Sequence, residues 1–434
     1  MKIYRLIPIF VFLLTACSKP QQPVVINAAP GNAQADSQAE SPQVASATSD
    51  DQPESIPADT PPPASALQQD LQPSPIATST EEPVKDERSP VSSEAVDLGP
   101  DQFSSGINPL TGLPVEDPDL LTLPPALVSI TNFPVSARPQ AGLSFAPYVY
   151  ELYIGEGMTR FLALFYGQYP QVGPQNSTDT GVVTDNQAEI GPVRSGRLPY
   201  QAIRQLYNGF LVMASASAEV TAATTDFTNI FGSDSDDINS ALLDVTRLQS
   251  IAQAHKNDLD INLTGNLFDG IIPEGGQDAA SLWVFYNFLN QVKWEFNPEA
   301  DAYLRFQDNA DGSGAFYPAT DRLTGEQLAF ENVILLFVKH QVLNSQKTLI
   351  DVDLLYSEGY AYLFRDGKVY PIYWTTVGDE YEQTTGRLRP IRFSDREGNP
   401  IPLKPGSTWV ELVDLTTTFS EIQPGSWKAR FYAP

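Results

Sequence analysis

Residues 148–166 read Tyr148-Val149-Tyr150-Glu151-Leu152-Tyr153-Ile154, then Gly155-Glu156-Gly157-Met158, then Thr159-Arg160-Phe161-Leu162-Ala163-Leu164-Phe165-Tyr166. Two apolar, aromatic runs broken by Gly155 and Gly157 are the pattern of two β-strands joined by a tight turn. Working upstream, residues 126–132 (ALVSITN) read as a buried strand, preceded by a segment at 108–114 dense in turn formers. Downstream, residues 200–207 have a helical pattern behind Pro199, a good first-turn residue. Residues 210–215 (FLVMAS) form a further strand candidate, and residues 238–254 have helix-compatible spacing. Strands alternating with helices in this way predict a mixed α/β domain over residues 105–274.

Past this point the pattern changes. Residues 278–292 (DAASLWVFYNFLNQV) have a broad apolar face that predicts a helix. Strands are then expected at 303–306, 333–342, 349–356, 360–364, 369–374 and 409–413. Arg365-Asp366-Gly367-Lys368 is a two-residue hairpin signal between two of them. The fold class expected is therefore α+β: the N-terminal α/β domain followed by a smaller, β-rich domain over residues 275–434.

The N-terminal quarter is different in kind. Residues 18–104 are rich in Pro, Ser, Ala, Gln, Asp and Glu and poor in aromatics, with Pro61-Pro62-Pro63 excluding helix. Such a segment cannot bury enough apolar surface to offset its ordering entropy and reads as a disordered tether. Before it, Lys2 and Arg5 precede an apolar stretch too short to span a bilayer, which ends in Leu14-Thr15-Ala16-Cys17. This is the bacterial lipobox pattern: a signal peptide over residues 1–16, with Cys17 diacylated and left as the mature N-terminus. The chain is expected outside the cytoplasm, anchored to the membrane through that lipid.

Cys17 is the one cysteine of the 434 residues, so neither a disulfide framework nor a thiol nucleophile is expected. The formal charge of −27 repels phosphate backbones and anionic head groups alike. Nucleic acid is not an expected partner, and attachment should rest on acyl chains. Nothing in the sequence calls for a cofactor or a metal. Gly155-Glu156-Gly157 lacks the third glycine and the strand-to-helix setting of a phosphate loop. Of the two histidines, His340 falls in an apolar strand pattern and His255 in a polar stretch read as solvated surface. The segment 308–312 resembles part of a calcium loop but has Pro318 where the bidentate glutamate should stand. That run and Asp234-Ser235-Asp236-Asp237 read as polar turns.

Arginine is the residue in unexpected places. Arg138 follows a buried strand, Arg160 opens an apolar one, and Arg194 and Arg197 lie between a loop and a helix in Gly191-Pro192-Val193-Arg194-Ser195-Gly196-Arg197. A planar guanidinium binds a carboxylate or phosphate through two parallel hydrogen bonds. These arginines either form internal pairs, with Glu151 and Glu156 the nearest partners, or face a cleft and bind an anion, with Ser195 an additional donor. As a nucleophile Ser195 lacks a recognisable base.

At these residues the chain resembles the YerB-like bacterial lipoproteins, a two-part family of unknown function. The resemblance is carried by Asn108-Pro109-Leu110-Thr111-Gly112-Leu113-Pro114, Arg138-Pro139-Gln140-Ala141-Gly142-Leu143-Ser144, Tyr150-Glu151, Gly157-Met158-Thr159-Arg160-Phe161 and Gly191-Pro192-Val193-Arg194-Ser195. Near the C-terminus Phe364-Arg365-Asp366-Gly367-Lys368 and Pro405-Gly406-Ser407-Thr408-Trp409 continue it. It implies an N-terminal and a smaller C-terminal domain, and no activity. Where the family usually carries Pro-His-Asn-Leu-Tyr, this chain has Thr264-Gly265-Asn266-Leu267-Phe268, with glycine in place of the histidine. Residues 174–189 look like a polar insertion before the arginine segment.

Two functional readings follow. In the first, the chain is a binding or assembly module with Arg138, Arg160, Arg194 and Arg197 as anion donors, Glu151 and Glu156 orienting them, and an anionic envelope ligand or protein as partner. In the second it is a cell-envelope hydrolase using Glu151 or Glu156 as general base, which requires one of those carboxylates unpaired in a cleft. A purely structural spacer would leave the arginine placement without a use beyond stability.

Overall fold

The computed structural model describes residues 97–170, 188–230, 241–257 and 261–434. The expected signal peptide, Cys17, the expected tether up to residue 96, nearly all of the 174–189 stretch and the acidic run at 234–237 lie outside the described residues. The last part of the expected tether, 97–104, is instead structured: Leu98 bridges Phe103, whose ring packs against Phe268 at 6.2 Å. In chain order the first half holds β1 (Ala126–Thr131), β2 (Tyr148–Gly155), β3 (Met158–Phe165), α1 (Pro199–Tyr207), β4 (Phe210–Met213), α2 (Ala218–Ala223), β5 (Phe227–Asn229) and α3 (Val245–Ala254). The second half holds β6 (Ser281–Asn287), β7 (Asn290–Asn297), β8 (Ala302–Asp308), β9 (Phe316–Pro318) and β10 (Asn332–Phe337). It continues with β11 (Glu358–Arg365), β12 (Lys368–Thr375), β13 (Thr408–Val413), β14 (Thr418–Gln423) and β15 (Ser426–Arg430). The result is a strand-rich α+β architecture.

The larger sheet runs β12-β11-β10-β13-β2-β3-β1-β4-β5, with the short strand Gln277–Asp278 at the β12 edge and Arg392–Ser394 also paired to β12. Strands β10, β13 and β2 are parallel neighbours, as are β1, β4 and β5, and β3 lies antiparallel between β2 and β1. Strands from both sides of residue 275 share this sheet, because Tyr148 and Glu151 of β2 stand beside Thr408 and Glu411 of β13. The smaller sheet runs β9-β8-β7-β6-β15-β14 and is antiparallel except for the β6–β15 pair.

Successive strand residues point to opposite faces, and the larger sheet is covered on both. Val149, Phe161, Ala163, Val333 and Trp409 pack with Leu282, Val284 and Trp294 of the smaller sheet. Tyr148, Tyr150, Leu152, Leu162 and Leu164 pack with Ile203, Leu206 and Tyr207 of α1. Double coverage explains why β2 and β3 are apolar at nearly every position.

One expected element is different. Residues 278–292 form a hairpin edge and not a helix: β6 buries Leu282, Val284 and Tyr286 and leaves Ser281, Trp283, Phe285 and Asn287 half-buried. A continuous apolar run satisfies both the two-residue and the 3.6-residue period, and here the sheet neighbours β7 and β15 decided. The stretch 333–342 is divided between β10 and the short strand His340–Val342. His255 is also less solvated than its sequence neighbours imply, since its ring stacks on Phe210 at 4.6 Å between centroids. The Asp366-Gly367 hairpin turn is present, with both residues at positive φ and Arg365 paired to Lys368.

Candidate functional site

Strands β1 and β4 are hydrogen-bonded neighbours over Ala126, Leu127 and Val128. Beyond Val128 the segment that carries the arginines takes the place of β4. The Arg194 N–H donates to Ser129 O (2.9 Å) and the Thr131 N–H to Pro192 O (2.9 Å). On its other side the Ala214 N–H donates to Arg194 O and the Gly196 N–H to Ser215 O, both at 2.9 Å. The segment thus sits between the carboxyl ends of two parallel strands, where open α/β sheets form their crevices. Gly196 permits this approach: a Cβ there would stand 2.3 Å from Met213 Sδ.

Against this segment β3 presents Arg160, which shares the α1-side face with Leu162 and Leu164. Arg160 is 5% exposed. Its Nη1 donates to Ser195 O at 2.8 Å and to Ser195 Oγ at 3.3 Å, while its buried Nε has no partner. Arg197 Nη1 donates to Gly196 O at 2.9 Å and to Ser195 Oγ at 3.3 Å, and its Nε is likewise unpartnered. Among the described residues no carboxylate forms an ion pair with Arg160 or Arg197. Burial, then the neighbouring Arg197 and Arg194, push the Arg160 guanidinium down to about 9. Burial lowers Arg197 as well. These side chains and Arg194 line a cavity of about 500 Å³, with Phe133, Pro134, Ile154 and Met158 as its apolar wall and Glu156 and Thr348 completing it.

Arg160, Arg194, Ser195, Arg197 and Glu156 are therefore brought together, and two of the expected residues are not. Glu151 faces the smaller sheet, fully buried; its Oε1 accepts from Thr159 Oγ1 (2.6 Å) and its Oε2 from Arg305 Nη2 (2.8 Å). The reason is parity. In the β2–β3 register Glu151 stands opposite Phe161 and Leu152 opposite Arg160, so Glu151 and Arg160 occupy opposite faces of one sheet. Glu151 neither orients the arginines nor reaches a cleft as a base. Arg138 belongs to a separate cleft of about 230 Å³ beside Gln307 and Tyr317. There it donates to Asp308 O (2.6 Å) and Asn132 O (3.2 Å) and lies over the Phe133 ring at 4.9 Å. Burial, and next the Arg305 charge, lower it to about 10.

The polar core between the sheets is the feature that sequence reasoning missed. Arg305 of β8 pairs with Glu151 and packs over the rings of Trp409, Phe161 and Trp294 at 4.7, 5.1 and 5.8 Å. Glu411 of β13, beside Glu151 in the parallel register, accepts from Tyr286 Oη (2.7 Å) and Trp294 Nε1 (3.0 Å). Burial, then the Glu151 carboxylate, push Glu411 up to about 8. The available signal was one charge inside each of three apolar strand patterns: YVYELYI, AYLRF and TWVELV.

Two family models match the chain: the N-terminal domain of a protein of unknown function, DUF3048, over residues 110–256, and the C-terminal domain of the same family over residues 283–410. Between them they cover more than half of it. The chain belongs to the DUF3048 family. It is 26% identical over 339 residues to YerB of Bacillus subtilis (strain 168), described as a candidate lipoprotein, covering 74% of this chain and 91% of YerB. The crystal structure of YerB from Bacillus subtilis superposes with a TM-score of 0.54 at 25% identity, covering 70% of this chain and 96% of that one.

The N-terminal family match spans Arg160 and the Arg194–Arg197 segment, and the C-terminal match spans Arg305. Gly265, the position at which the resemblance leads one to expect histidine, lines a different cleft, with Asp379, Arg389 and Arg392. A Cβ at Gly265 would meet the Arg392 side chain at 2.9 Å.

Proposed function

We propose that the protein is a membrane-anchored, extracytoplasmic binding module whose arginine-lined cavity takes an anionic ligand. The observation that carries the reading is Arg160: a guanidinium 5% exposed, at the wall of a cavity, with no carboxylate partner among the described residues. A buried charge without a counter-ion is costly, and an anion in the cavity would supply one. Ser195 adds a donor, because its two lone pairs face Arg160 and Arg197 and its hydroxyl proton is left to give. The lipobox at Cys17 and the description of YerB as a candidate lipoprotein support the anchoring. The hydrolase alternative retains only Glu156, exposed at the cavity, since Glu151 is committed to Arg305.

The test is a thermal-shift titration of the chain from Ser18 to Pro434 with inorganic phosphate and with dicarboxylates. Ligand that binds only the folded state raises its melting temperature by mass action. A dose-dependent rise in wild type that is absent in a folded Arg197→Gln variant supports the reading. No shift with any of these anions sinks it.

A further inference from the structure

We infer that the ligand of this cavity is an amphiphile, a phosphate monoester carrying an apolar chain, and not a hydrophilic anion. The inference rests on the anion-site reading above and adds the chemistry of the opposite wall.

The cavity has two unlike sides. On one, Arg160 and Arg197 place Nη1 atoms on the same hydroxyl, Ser195 Oγ, each at 3.3 Å, and Arg194 lies on the same segment. Two guanidiniums and a free hydroxyl proton match a doubly charged phosphate better than a single carboxylate. On the other side Phe133, Pro134, Ile154 and Met158 offer carbon. Alternation puts Met158, which opens β3, on the face that also carries Arg160, and Ile154, at the register irregularity just before the end of β2, lines the cavity beside it. A wholly hydrophilic anion would leave that wall wet and gain nothing from it.

Further exposed apolar side chains belong to turns that adjoin segments of the cavity wall. Gly157, in the β2–β3 turn, is held against the β6–β7 hairpin by Asn290 Nδ2, which donates to Gly157 O at 3.0 Å. The tip of that hairpin is Phe288-Leu289, 64% and 45% exposed. Thr348, at the cavity, belongs to a turn whose Leu343 is 51% exposed, tied by its N–H to Leu349 O. The apolar part of the ligand is therefore assigned to the Phe133, Pro134, Ile154 and Met158 wall of the cavity of about 500 Å³.

Binding of inorganic phosphate, butyl phosphate and octyl phosphate, each below its micelle concentration, is measured by calorimetry on the chain from Ser18 to Pro434. Octyl glucoside serves as a neutral amphiphile, and vesicles containing phosphatidic acid as a bilayer source of the same head group. Each methylene that leaves water contributes about fourfold in affinity. Octyl phosphate should bind at least tenfold tighter than inorganic phosphate. Met158→Ser, or Phe133→Ser where the first does not fold, should remove most of that gain, bringing the affinities for octyl and inorganic phosphate together. Arg197→Gln should weaken both phosphates.

Equal binding of inorganic and octyl phosphate would overturn the amphiphile and leave the anion site standing. Binding of neither, with none to vesicles, would sink both readings. Octyl glucoside binding as tightly as octyl phosphate, indifferent to Arg197→Gln, would reduce the cavity to an apolar surface. Vesicle binding without monomer binding would replace a cavity ligand by membrane adsorption.

Discussion

Arg160 and Arg197 converge on one acceptor, each placing Nη1 3.3 Å from Ser195 Oγ, although they come from a strand and from a loop 37 positions further along the chain. Two like charges directed at one hydroxyl, with neither ion-paired to a carboxylate among the described residues, is an arrangement that costs stability until an anion arrives. Each of the following expectations tests one part of that geometry or of the core behind it.

Arg160→Met should leave unfolding free energy in urea within about 1 kcal/mol of wild type, or raise it, because the change removes a buried, uncompensated charge and keeps the volume. Phosphate binding should be lost at the same time. A loss of more than about 3 kcal/mol would mean that the bonds to Ser195 hold the fold together and that Arg160 is structural.

Arg305→Met should behave in the opposite way. It strands the Glu151 carboxylate, fully buried, with only the Thr159 hydroxyl as partner. Removing one member of a buried pair costs about 3–5 kcal/mol. The double change Glu151→Leu with Arg305→Met should recover much of that loss, and a urea-melt cycle over the four chains reads the coupling. Additive losses would exclude a coupled pair.

Stability should fall as pH rises from about 5 to about 8. The unfolded chain releases the Glu411 proton near 4.5, whereas burial and the Glu151 carboxylate hold it in the folded state until about 8. The folded state then binds more protons than the unfolded, so the contribution is whole below 4.5 and is lost through this window, by at most about 1.4 kcal/mol per pH unit. Glu411→Gln, which keeps a neutral group in place, should flatten that part of the profile in urea melts at each pH. An unchanged slope would assign it to other groups.

Gly157→Ala should lower the melting temperature and weaken phosphate binding together. The residue sits at φ +77, and a Cβ would stand 1.3 Å from Asn287 Nδ2. To admit a methyl group the Asn287 side chain must turn away, giving up the bond it accepts from the Leu289 N–H, or the turn and the β6–β7 hairpin must separate, in either case on top of about 1–3 kcal/mol for the strained backbone. A wild-type melting temperature would show that the Asn287 side chain gives way freely.

Much of this was readable from the amino acids. Strands β2 and β3 with their glycine turn, β1, α1 behind Pro199, and the Asp366-Gly367 hairpin all have local causes: apolar runs, a proline at a first turn, two residues able to take positive φ. The arginine cavity was partly readable, since Arg160, Arg194 and Arg197 stood out as charges at element junctions. The pairing of Glu151 with those arginines was misread for a reason of register. Once Leu152 is placed opposite Arg160, alternation puts Glu151 on the other face.

The sequence by itself determined most of the strands and which charges had to find partners, because these follow from local composition, period and the cost of burying a charge. Tertiary structure alone decided who those partners are. Arg305 reaches Glu151 from 154 positions away and Glu411 joins them through a parallel strand pair, while residues 278–292 became a hairpin because sheet neighbours offered their backbone groups bonds. Long-range pairing depends on register and on which faces meet, and neither is written in any single stretch of the chain.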